Sequence, residues 1–394
     1  MADNKDKKVL NVPALRFPEF SREWKRHKLS EICSFYSGGT PSSSKKEFYN
    51  GNIPFIRSGE LHKDKTELFI TEDGLNSSAA KLVEIGDLLL ALYGATSGDI
   101  AISKIKGAIN QAILCIRTKQ NKKFIESVWN KHVERLLQTY LQGGQGNLSA
   151  DIVKNIPFYF ADLEEQDKLA NFISLLDERI STQNKIIEKL ETLIKGFVDS
   201  IFTANKFPKV PFKEIYVRAG EGGTPATSNP EYYDNGTIPF IKIDDLQNKY
   251  IKTNKDCITE LGLQKSSAWI VPANSIIYSN GATIGAISIN LFPVCTKQGI
   301  LGVVPKADIN VEFLYYFMTS TAFTKAVERI VTEGTMRTAY LKDINHIPCP
   351  VPYPVKQDEI AKMLSTLSEK LENEVIFQMK LQKQKEFLLS QMFI

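Results

Sequence analysis

The chain has 394 residues, of which 43% are hydrophobic and 24% charged, and this length is enough for two or three folded domains. This composition excludes a collagen-like, a disordered or a disulfide-stapled protein. The formal net charge of +4 neither requires nor excludes a polyanionic partner, because the first 30 residues alone carry 8 Lys and Arg against 4 Asp and Glu.

The N-terminus and the cysteines indicate a cytoplasmic protein. Residues 1–8 are charged and lack the apolar stretch of a secretory signal. No apolar run approaches the ~18 residues that a membrane span needs. The five cysteines are far apart and form no Cys-x-x-Cys pair. We therefore expect them to remain reduced.

The chain contains an internal repeat that begins with Gly-Gly-Thr-Pro at residues 38–41 and again at 222–225. Three further motifs recur in the same order: Ile-Pro-Phe-Ile at 53–56 and 238–241, Ile-Thr-Glu at 70–72 and 258–260, and Gly-Ala-Thr at 94–96 and 281–283. The offset drifts between 184 and 188 residues. Such drift is typical of two homologous domains with insertions in their surface loops.

Both copies are predicted to be mixed α+β domains. Short apolar runs bounded by Gly and Asn predict strands at 53–57, 87–92, 100–103 and 113–117, and at 238–243, 275–279, 286–289 and 300–304. A helix is predicted near 124–141 and its counterpart near 311–331. The elements do not alternate as βαβ units, which argues against a dinucleotide-binding sheet.

A long helix is predicted after each domain. Residues 156–202 align with 347–393 at a constant offset of 191, without gaps. Apolar residues recur at spacings of three, four and seven, as in a coiled-coil seam. Asp162 and Glu165 resemble a capping box at the first helix start. We expect an antiparallel coiled coil of roughly 55–60 Å; the alternative is two helices that pack separately on their own domains.

The predicted organisation has four parts. The first domain comprises residues 1–162, with 1–10 as a tail, and the central helix comprises 163–205. The second domain comprises 206–353, and the C-terminal helix comprises 354–394. The fold class is α+β, with two similar mixed domains separated by two long helices.

The sequence lacks the usual signatures of catalysis. It has no G-x-x-x-x-G-K-[ST] phosphate loop and no G-x-G-x-x-G after a strand. It also has no Asn/Asp-Pro-Pro-aromatic motif of adenine methyltransferases. The four histidines are scattered and form no metal-ligand pattern. We therefore expect no catalytic residue and no metal.

The duplicated motifs, their order and the Ile-Pro…Gln-Asp opening of each long helix resemble the specificity subunit of type I restriction–modification enzymes. The resemblance extends from about residue 15 to residue 393. The segment 11–28, however, has only a shortened counterpart around 206–212. The second helix also opens with Lys356-Gln357 where the first has Glu165-Gln166.

This resemblance implies a non-catalytic subunit that recognises DNA. Each domain would read one half of a bipartite DNA sequence, and the paired helices would set the spacing between the halves. Two modification subunits, which methylate DNA, would dock on the helices, and restriction subunits would complete the nuclease. S-adenosylmethionine, ATP and Mg would be bound by these partners and not by this chain.

Candidate DNA-contacting residues lie in and beside the repeated motifs. In the first domain they are Arg57, Tyr93, Thr96, Ser97, Gln111, Gln145 and Asn147, and in the second Lys242, Asn280, Thr283, Gln298, Thr335 and Arg337. Residues that are identical in both domains cannot distinguish two half-sites, so they suit the fold or phosphate contacts. Residues that differ are better candidates for base recognition. Gln111 and Gln298 could read a base edge or hold a loop. The repeated glycines are expected mainly in turns.

Two other interpretations remain open at this stage. The chain could be a non-DNA adaptor that carries two similar binding modules on a coiled-coil spacer. It could also be an enzyme whose active site follows no familiar motif. Near-neutral net charge favours the adaptor over a DNA-binding protein.

Overall fold

The computed structural model describes residues 10–140, 147–204, 207–281, 283–331 and 337–394. The chain divides into two compact units, the first formed by Met1–Gln183 with Phe377–Ile394, and the second by Asn184–Ile376. Each unit therefore contains one domain and a segment of each long helix. Candidate residues Gln145 and Thr335 lie outside the described residues.

The first unit is built on two four-stranded sheets and a two-stranded ribbon. Its strands are Lys25–Lys28 (β1), Cys33–Ser37 (β2), Tyr49–Ile56 (β3), Phe69–Ile70 (β4), Lys81–Val83 (β5), Leu88–Ala91 (β6), Ile100–Ile102 (β7), Gly107–Ile109 (β8), Ile113–Thr118 (β9) and Pro157–Phe160 (β10). Its helices are Leu29–Ile32 (α1), Glu72–Asn76 (α2), Lys122–Tyr140 (α3), Ala150–Asn155 (α4) and the start of Leu163–Thr203 (α5). The sheet orders are β2-β9-β6-β7 and β4-β3-β8-β5, and β1 pairs with β10.

The second unit repeats this plan with small changes. Its strands are Lys209–Pro211 (β11), Tyr216–Glu221 (β12), Ile238–Ile241 (β13), Tyr250–Ile251 (β14), Asp256–Ile258 (β15), Ile276–Ser279 (β16), Ile287–Asn290 (β17), Cys295–Thr296 (β18), Ile300–Pro305 (β19) and Pro348–Pro350 (β20). Its helices are Glu260–Gln264 (α6), Val311–Thr319 (α7), Thr321–Ile330 (α8), Leu341–Ile344 (α9) and most of Pro354–Met392 (α10). The sheet orders are β12-β19-β16-β17-β14 and β15-β13-β18, and β11 pairs with β20.

The larger sheet of each unit buries one face against helices. In the first unit, β6 and β9 are buried against α3, where Phe124 and Trp129 are fully buried. In the second unit, β16 and β19 share a core with Phe313 and Phe323. All eight strands predicted from sequence are present, with ends that differ by a few residues. The mixed α+β class is confirmed.

The helix predicted over 311–331 is two helices. The chain breaks at Ser320, whose backbone is extended and whose hydroxyl accepts a hydrogen bond from the Phe323 N–H. A serine side chain that satisfies a free N–H at a helix start favours a new start over continuation. The equivalent helix of the first domain, α3, is continuous over 19 residues.

The Gly-Gly-Thr-Pro motif owes its glycines to close packing, not to a turn. A Cβ on Gly38 would lie 1.8 Å from the carbonyl oxygen of Ile109, and one on Gly222 would lie 2.0 Å from that of Thr296. Neither glycine has a positive φ. The expectation that these are turn glycines is wrong for this pair but holds for Gly94 and Gly98, whose φ angles are 77° and 87°.

The two long helices run antiparallel within each unit. In the first unit, Leu169 near the start of α5 shares a core with Phe393 just beyond the end of α10. Further along α5, Asp177 pairs with Lys385 of α10 at 2.6 Å. In the second unit, Phe202 near the end of α5 shares a core with Leu364 near the start of α10. The first domain therefore packs against the start of α5 and the end of α10. The second domain packs against the start of α10 and the end of α5.

A buried glutamine fixes the start of each long helix. Gln166 is fully buried; its Nε2 donates to the Ala161 carbonyl at 2.7 Å, and its Oε1 accepts from the Asn121 N–H at 3.1 Å. Gln357 repeats both bonds with Pro352 and Asn310, at 2.8 and 2.9 Å. The repeated Gln-Asp motif thus joins the helix start to the residue that begins the domain helix.

We expect Gln166→Leu to lower the free energy of unfolding of the first unit by about 2–3 kcal/mol, because it leaves a buried N–H and a buried carbonyl unsatisfied. Urea unfolding followed by the fluorescence of Trp24 and Trp129, both buried in this unit, measures the effect. Gln384→Leu, at an exposed position of α10 in the same unit, is the matched control. An equal loss in both variants would contradict the assigned role.

Candidate nucleic-acid interface

In the first domain, the chain makes a tight turn after β6 that contains Gly94-Ala-Thr96. Gly98 N–H donates back to the Ala91 carbonyl, and the Ser97 hydroxyl donates to the Leu92 carbonyl, each within 3.0 Å. The Gly98 carbonyl accepts from the indole of Trp129 at 2.8 Å, which anchors the turn on α3. Positive φ at two glycines permits this path. Thr96 is half-buried.

Three separate loops meet at this turn. The Leu92 N–H donates to the Ala112 carbonyl at 2.8 Å, and the Leu148 N–H donates to the Leu92 carbonyl at 2.9 Å. Three candidates, Tyr93, Gln111 and Asn147, are each adjacent in sequence to a residue that makes one of these hydrogen bonds. Their side chains are exposed. Backbone bonds thus bring together candidates that are far apart in sequence. We call this group of loops the three-loop edge.

Gln111 is also tied to the Gly-Gly-Thr-Pro motif. Its Oε1 accepts a 2.6 Å hydrogen bond from the Thr40 hydroxyl. Of the two roles considered from sequence, this contact corresponds to holding a loop. The amide nitrogen of the Gln111 side chain can still donate a hydrogen bond to a ligand.

Arg57 lies at the same edge of the first domain. Strands β3 and β8 are parallel, with Ile56 opposite Ile109, so the residues after them emerge together. The Arg57 guanidinium, however, already binds Glu60 at 3.0 Å and Glu67 at 3.1 Å. Any contact of this arginine with DNA therefore competes with two carboxylates.

Glu60 is a buried carboxylate that holds this arginine. Burial alone would raise the pKa of Glu60, but hydrogen bonds from the side chain and backbone of Arg57 and from the Thr66 hydroxyl lower it to about 2. The carboxylate is therefore charged throughout the physiological range. Because its charge is satisfied by Arg57, this pair orients the loop that follows β3.

His62, one of the four scattered histidines, has an exposed side chain. Its Nε2 lies 2.8 Å from Oδ1 of Asp99, which closes the turn after Gly98. The hydrogen bond to Asp99 raises the pKa of His62 above its ordinary value of 6.5, and burial only partly opposes this. A spatial pair 37 residues apart leaves no periodic signal in the sequence.

The second domain builds the same edge from different side chains. The backbone N–H groups of Asn280 and Gly281 donate to the Gly299 carbonyl, at 3.0 and 3.2 Å, and the Ala339 N–H donates to the Asn280 carbonyl at 2.9 Å. Asn280 is only 2% exposed, and its amide nitrogen donates to the Ala339 carbonyl. Asn280 thus holds two loops together, where Tyr93 in the first domain is exposed.

The remaining candidates of the second domain lie at the surface. Thr283, Gln298 and Arg337 are exposed. The backbone N–H of Gln298 donates to the Thr224 hydroxyl, which again links this loop to the Gly-Gly-Thr-Pro motif. Lys242 pairs with Asp256 at 2.9 Å, as Arg57 pairs with its own carboxylates.

Across the described parts of the chain, no three His, Cys, Asp or Glu side chains cluster as metal ligands. None of the described helices is long and apolar enough to cross a membrane. All five cysteines are free thiols. The feature that the two domains share is the three-loop edge.

Comparison with known proteins identifies the kind of domain that carries this edge. A family model described as the type I restriction modification DNA specificity domain matches residues 21–192 and 209–380. The chain belongs to this family. The two matches coincide with the internal repeat. As a specificity subunit, the chain contributes DNA recognition and not catalysis, through two target recognition domains.

Individual relatives agree with this assignment. The specificity subunit of the type I restriction enzyme MjaIX from Methanocaldococcus jannaschii is 25% identical over 401 residues, which cover 93% of this chain and 92% of that protein. The HindI specificity subunit from Haemophilus influenzae is 35% identical over 115 residues, 29% of this chain and 25% of that protein. The crystal structure of an S subunit from M. genitalium has the same fold, with a TM-score of 0.59, 16% identity and coverage of 97% and 99%.

The His62–Asp99 pair yields a test of the geometry of this edge. We expect a His62 pKa above 6.5 in the native chain and a return toward that value in Asp99→Asn, measured by NMR titration of the imidazole with His62→Gln for assignment. Because the folded-state pKa is raised, the stability that the pair contributes is complete below pH 6.5 and is lost as pH rises through the folded-state pKa. Asp64→Asn, at an exposed carboxylate two residues away, should leave the pKa unchanged. An identical titration in the native chain and in Asp99→Asn would exclude the pair.

Proposed function

We propose that each three-loop edge reads one half of a bipartite DNA target. The observation that carries this proposal is that two domains with a common frame present different side chains at the same edge. An exposed Tyr93 in the first domain corresponds to the buried Asn280 in the second, and Ser97 corresponds to Ile284. A shared frame holds the loops, and the differing side chains discriminate bases.

Within each edge we assign separate roles to phosphate and base contacts. Thr96 and Thr283 occupy equivalent turns, so their hydroxyls suit the phosphate backbone, which is the same in both half-sites. Tyr93, Ser97 and Asn147 in the first domain, and Arg337 in the second, differ between the domains and suit base edges. Arg57 and Lys242 stabilise the edge mainly through their ion pairs with carboxylates.

The long helices set the distance between the half-sites and carry the partner subunits. The chain assembles with other restriction–modification subunits and with DNA. We propose that two modification subunits dock on the helices, that restriction subunits join them, and that S-adenosylmethionine, ATP and Mg are bound by these partners. The gapless offset of 191 residues supports a matched pair of helices, because an insertion in one alone would rotate its contact face. Near-neutral net charge favours the non-DNA adaptor, but the match of both domains to a DNA specificity family supports DNA recognition.

A domain exchange tests the assignment of one half-site to each domain. Residues 31–162 are replaced by the equivalent domain of another specificity subunit, and the chimera is expressed with its partner subunits. We expect one half of the methylated sequence to change and the other to persist, because the second domain folds around its own core. Methylome sequencing of the parent and the chimera decides the outcome. If both halves change together, the recognition surface is shared and the proposal is wrong.

A paired insertion tests the spacer role. One heptad is inserted after Gln183 in α5 and another after Ile376 in α10, where both helices pass from one compact unit to the other. Seven residues preserve the packing face and add about 10 Å, so the spacer should lengthen by about three base pairs while both half-sites persist. A heptad in α5 alone is the control and should abolish methylation. Unchanged spacing between the half-sites in the paired variant would refute the proposal that the helices set this spacing.

A further inference from the structure

In the first unit, a segment that precedes β1 fills a groove between the two long helices. The Leu15 N–H donates to the Gln391 carbonyl of α10 at 3.0 Å. The Phe17 ring packs edge-on against Phe172 of α5, with 6.0 Å between ring centroids. The segment thus bridges the start of one helix and the end of the other.

Charged residues on either side of Phe17 fix the direction of this segment. Arg16 makes two 2.7 Å hydrogen bonds to the carboxylate of Glu165, whose side chain is only 3% exposed. Glu19 pairs with Lys168, whose ammonium also lies 4.7 Å from the centre of the Phe17 ring. Along the segment, a basic residue, Arg16, is followed by the aromatic Phe17 and then by an acidic residue, Glu19. Sequence reasoning had assigned Glu165 to a capping box, but its carboxylate binds Arg16 instead.

The second unit has the equivalent groove, but the counterpart of this segment is shorter. Helix α5 ends at Thr203 and β11 begins at Lys209, whereas 24 residues precede β1. The groove has a volume of about 460 Å³. Its lining residues are Ser200, Ile201, Ala204, Phe207, Lys356, Glu359, Ile360 and Met363. Among the residues that the structure describes, nothing occupies it.

The repeat aligns two of the lining residues with residues that contact the segment in the first unit. At the offset of 191, Ser200 corresponds to Gln391, and Met363 corresponds to Phe172. Met363 is 42% exposed, which is unusual for a large apolar side chain at a position that its counterpart uses for packing. Tyr353 and Val355, at the start of α10, are 70% and 64% exposed.

The charges of the groove are the reverse of those in the first unit. Lys356 stands where the first unit has Glu165, and Glu359 stands where it has Lys168. Lys356 and Glu359 contact each other at 2.7 Å, with side chains that are 41% and 58% exposed. A segment bound here in the same direction would therefore need an acidic residue first and a basic residue three positions later.

We propose that this groove binds an extended segment of a partner protein in which a large apolar residue follows an acidic residue and precedes a basic one. The N-terminal segment of a second copy of this chain does not fit, because Arg16 would meet Lys356 and Glu19 would meet Glu359. Like charges at both positions disfavour that occupant. The groove therefore distinguishes the two ends of the helix pair and recruits a partner segment at one of them.

Two peptides test the charge rule on the full-length chain. One has the sequence of residues 12–23, and the other is the same peptide with Arg16→Glu and Glu19→Lys; both carry a fluorescent label. We expect the charge-reversed peptide to bind the native chain about tenfold more tightly, since two ion pairs replace two repulsions. Fluorescence anisotropy measures both dissociation constants.

A reciprocal variant makes this test specific. Lys356→Glu combined with Glu359→Lys should reverse the preference, so that the native-sequence peptide binds more tightly. Met363→Ser should weaken the binding of either peptide. Lys362→Glu combined with Glu369→Lys, at exposed positions of α10 outside the groove, should leave the preference unchanged.

Three outcomes would overturn the proposal. The native chain could prefer the native-sequence peptide, which would make a second copy of the chain the occupant. Neither peptide could bind, which would remove the groove as a docking site. The preference could also survive the reciprocal substitution, which would place the binding elsewhere.

Discussion

The side-chain amides of Gln166 and Gln357 are buried where each long helix leaves its domain, and the position of the domain on the helix depends on them. A primary amide offers donors and an acceptor on one rigid plane. In both units, it satisfies a carbonyl before the long helix and the N–H of an asparagine that begins the domain helix. An aspartate beside each glutamine binds the same asparagine, at 2.7 Å in both units. Because both glutamine side chains are buried, a misplaced helix would leave their donors and acceptors unsatisfied.

Beyond these shared hydrogen bonds, the two domains carry opposite charges at equivalent positions of their domain helices. Lys123 of α3 pairs with Asp177 at 2.7 Å, and Asp177 also binds Lys385. At the position equivalent to Lys123, the second domain has Glu312, which pairs with Lys249 at 3.1 Å. Lys249 has a side chain that is only 8% exposed, so this pair is costly to break. A second domain placed on α5 would bring Glu312 toward Asp177. Each domain is therefore matched to its own helix despite the shared frame.

The repeat and the apolar periodicity were sufficient to predict eight of the strands, the α+β class and the long helices, because burial imposes regular spacing on the sequence. They could not predict contacts between residues far apart in the chain. Asn280 was chosen as a DNA contact because it differs from Tyr93, but it is buried and holds loops. Glu165 fitted a local capping pattern, yet a nearby arginine that precedes β1 binds its carboxylate. In both cases, a contact between residues far apart in the chain determined the role of the side chain, and the local sequence pattern did not.

The arrangement of charges at the three-loop edges explains how a chain with almost no excess charge recognises DNA. Arg57 and Lys242 are each paired with carboxylates of their own domain, and His62 is paired with Asp99. Cations that are already neutralised attract phosphate weakly and release few counterions on binding. We therefore expect weak non-specific binding, with base contacts to the correct sequence contributing most of the free energy of binding. We expect the chain to contribute discrimination between sequences and its partner subunits to contribute general affinity for DNA.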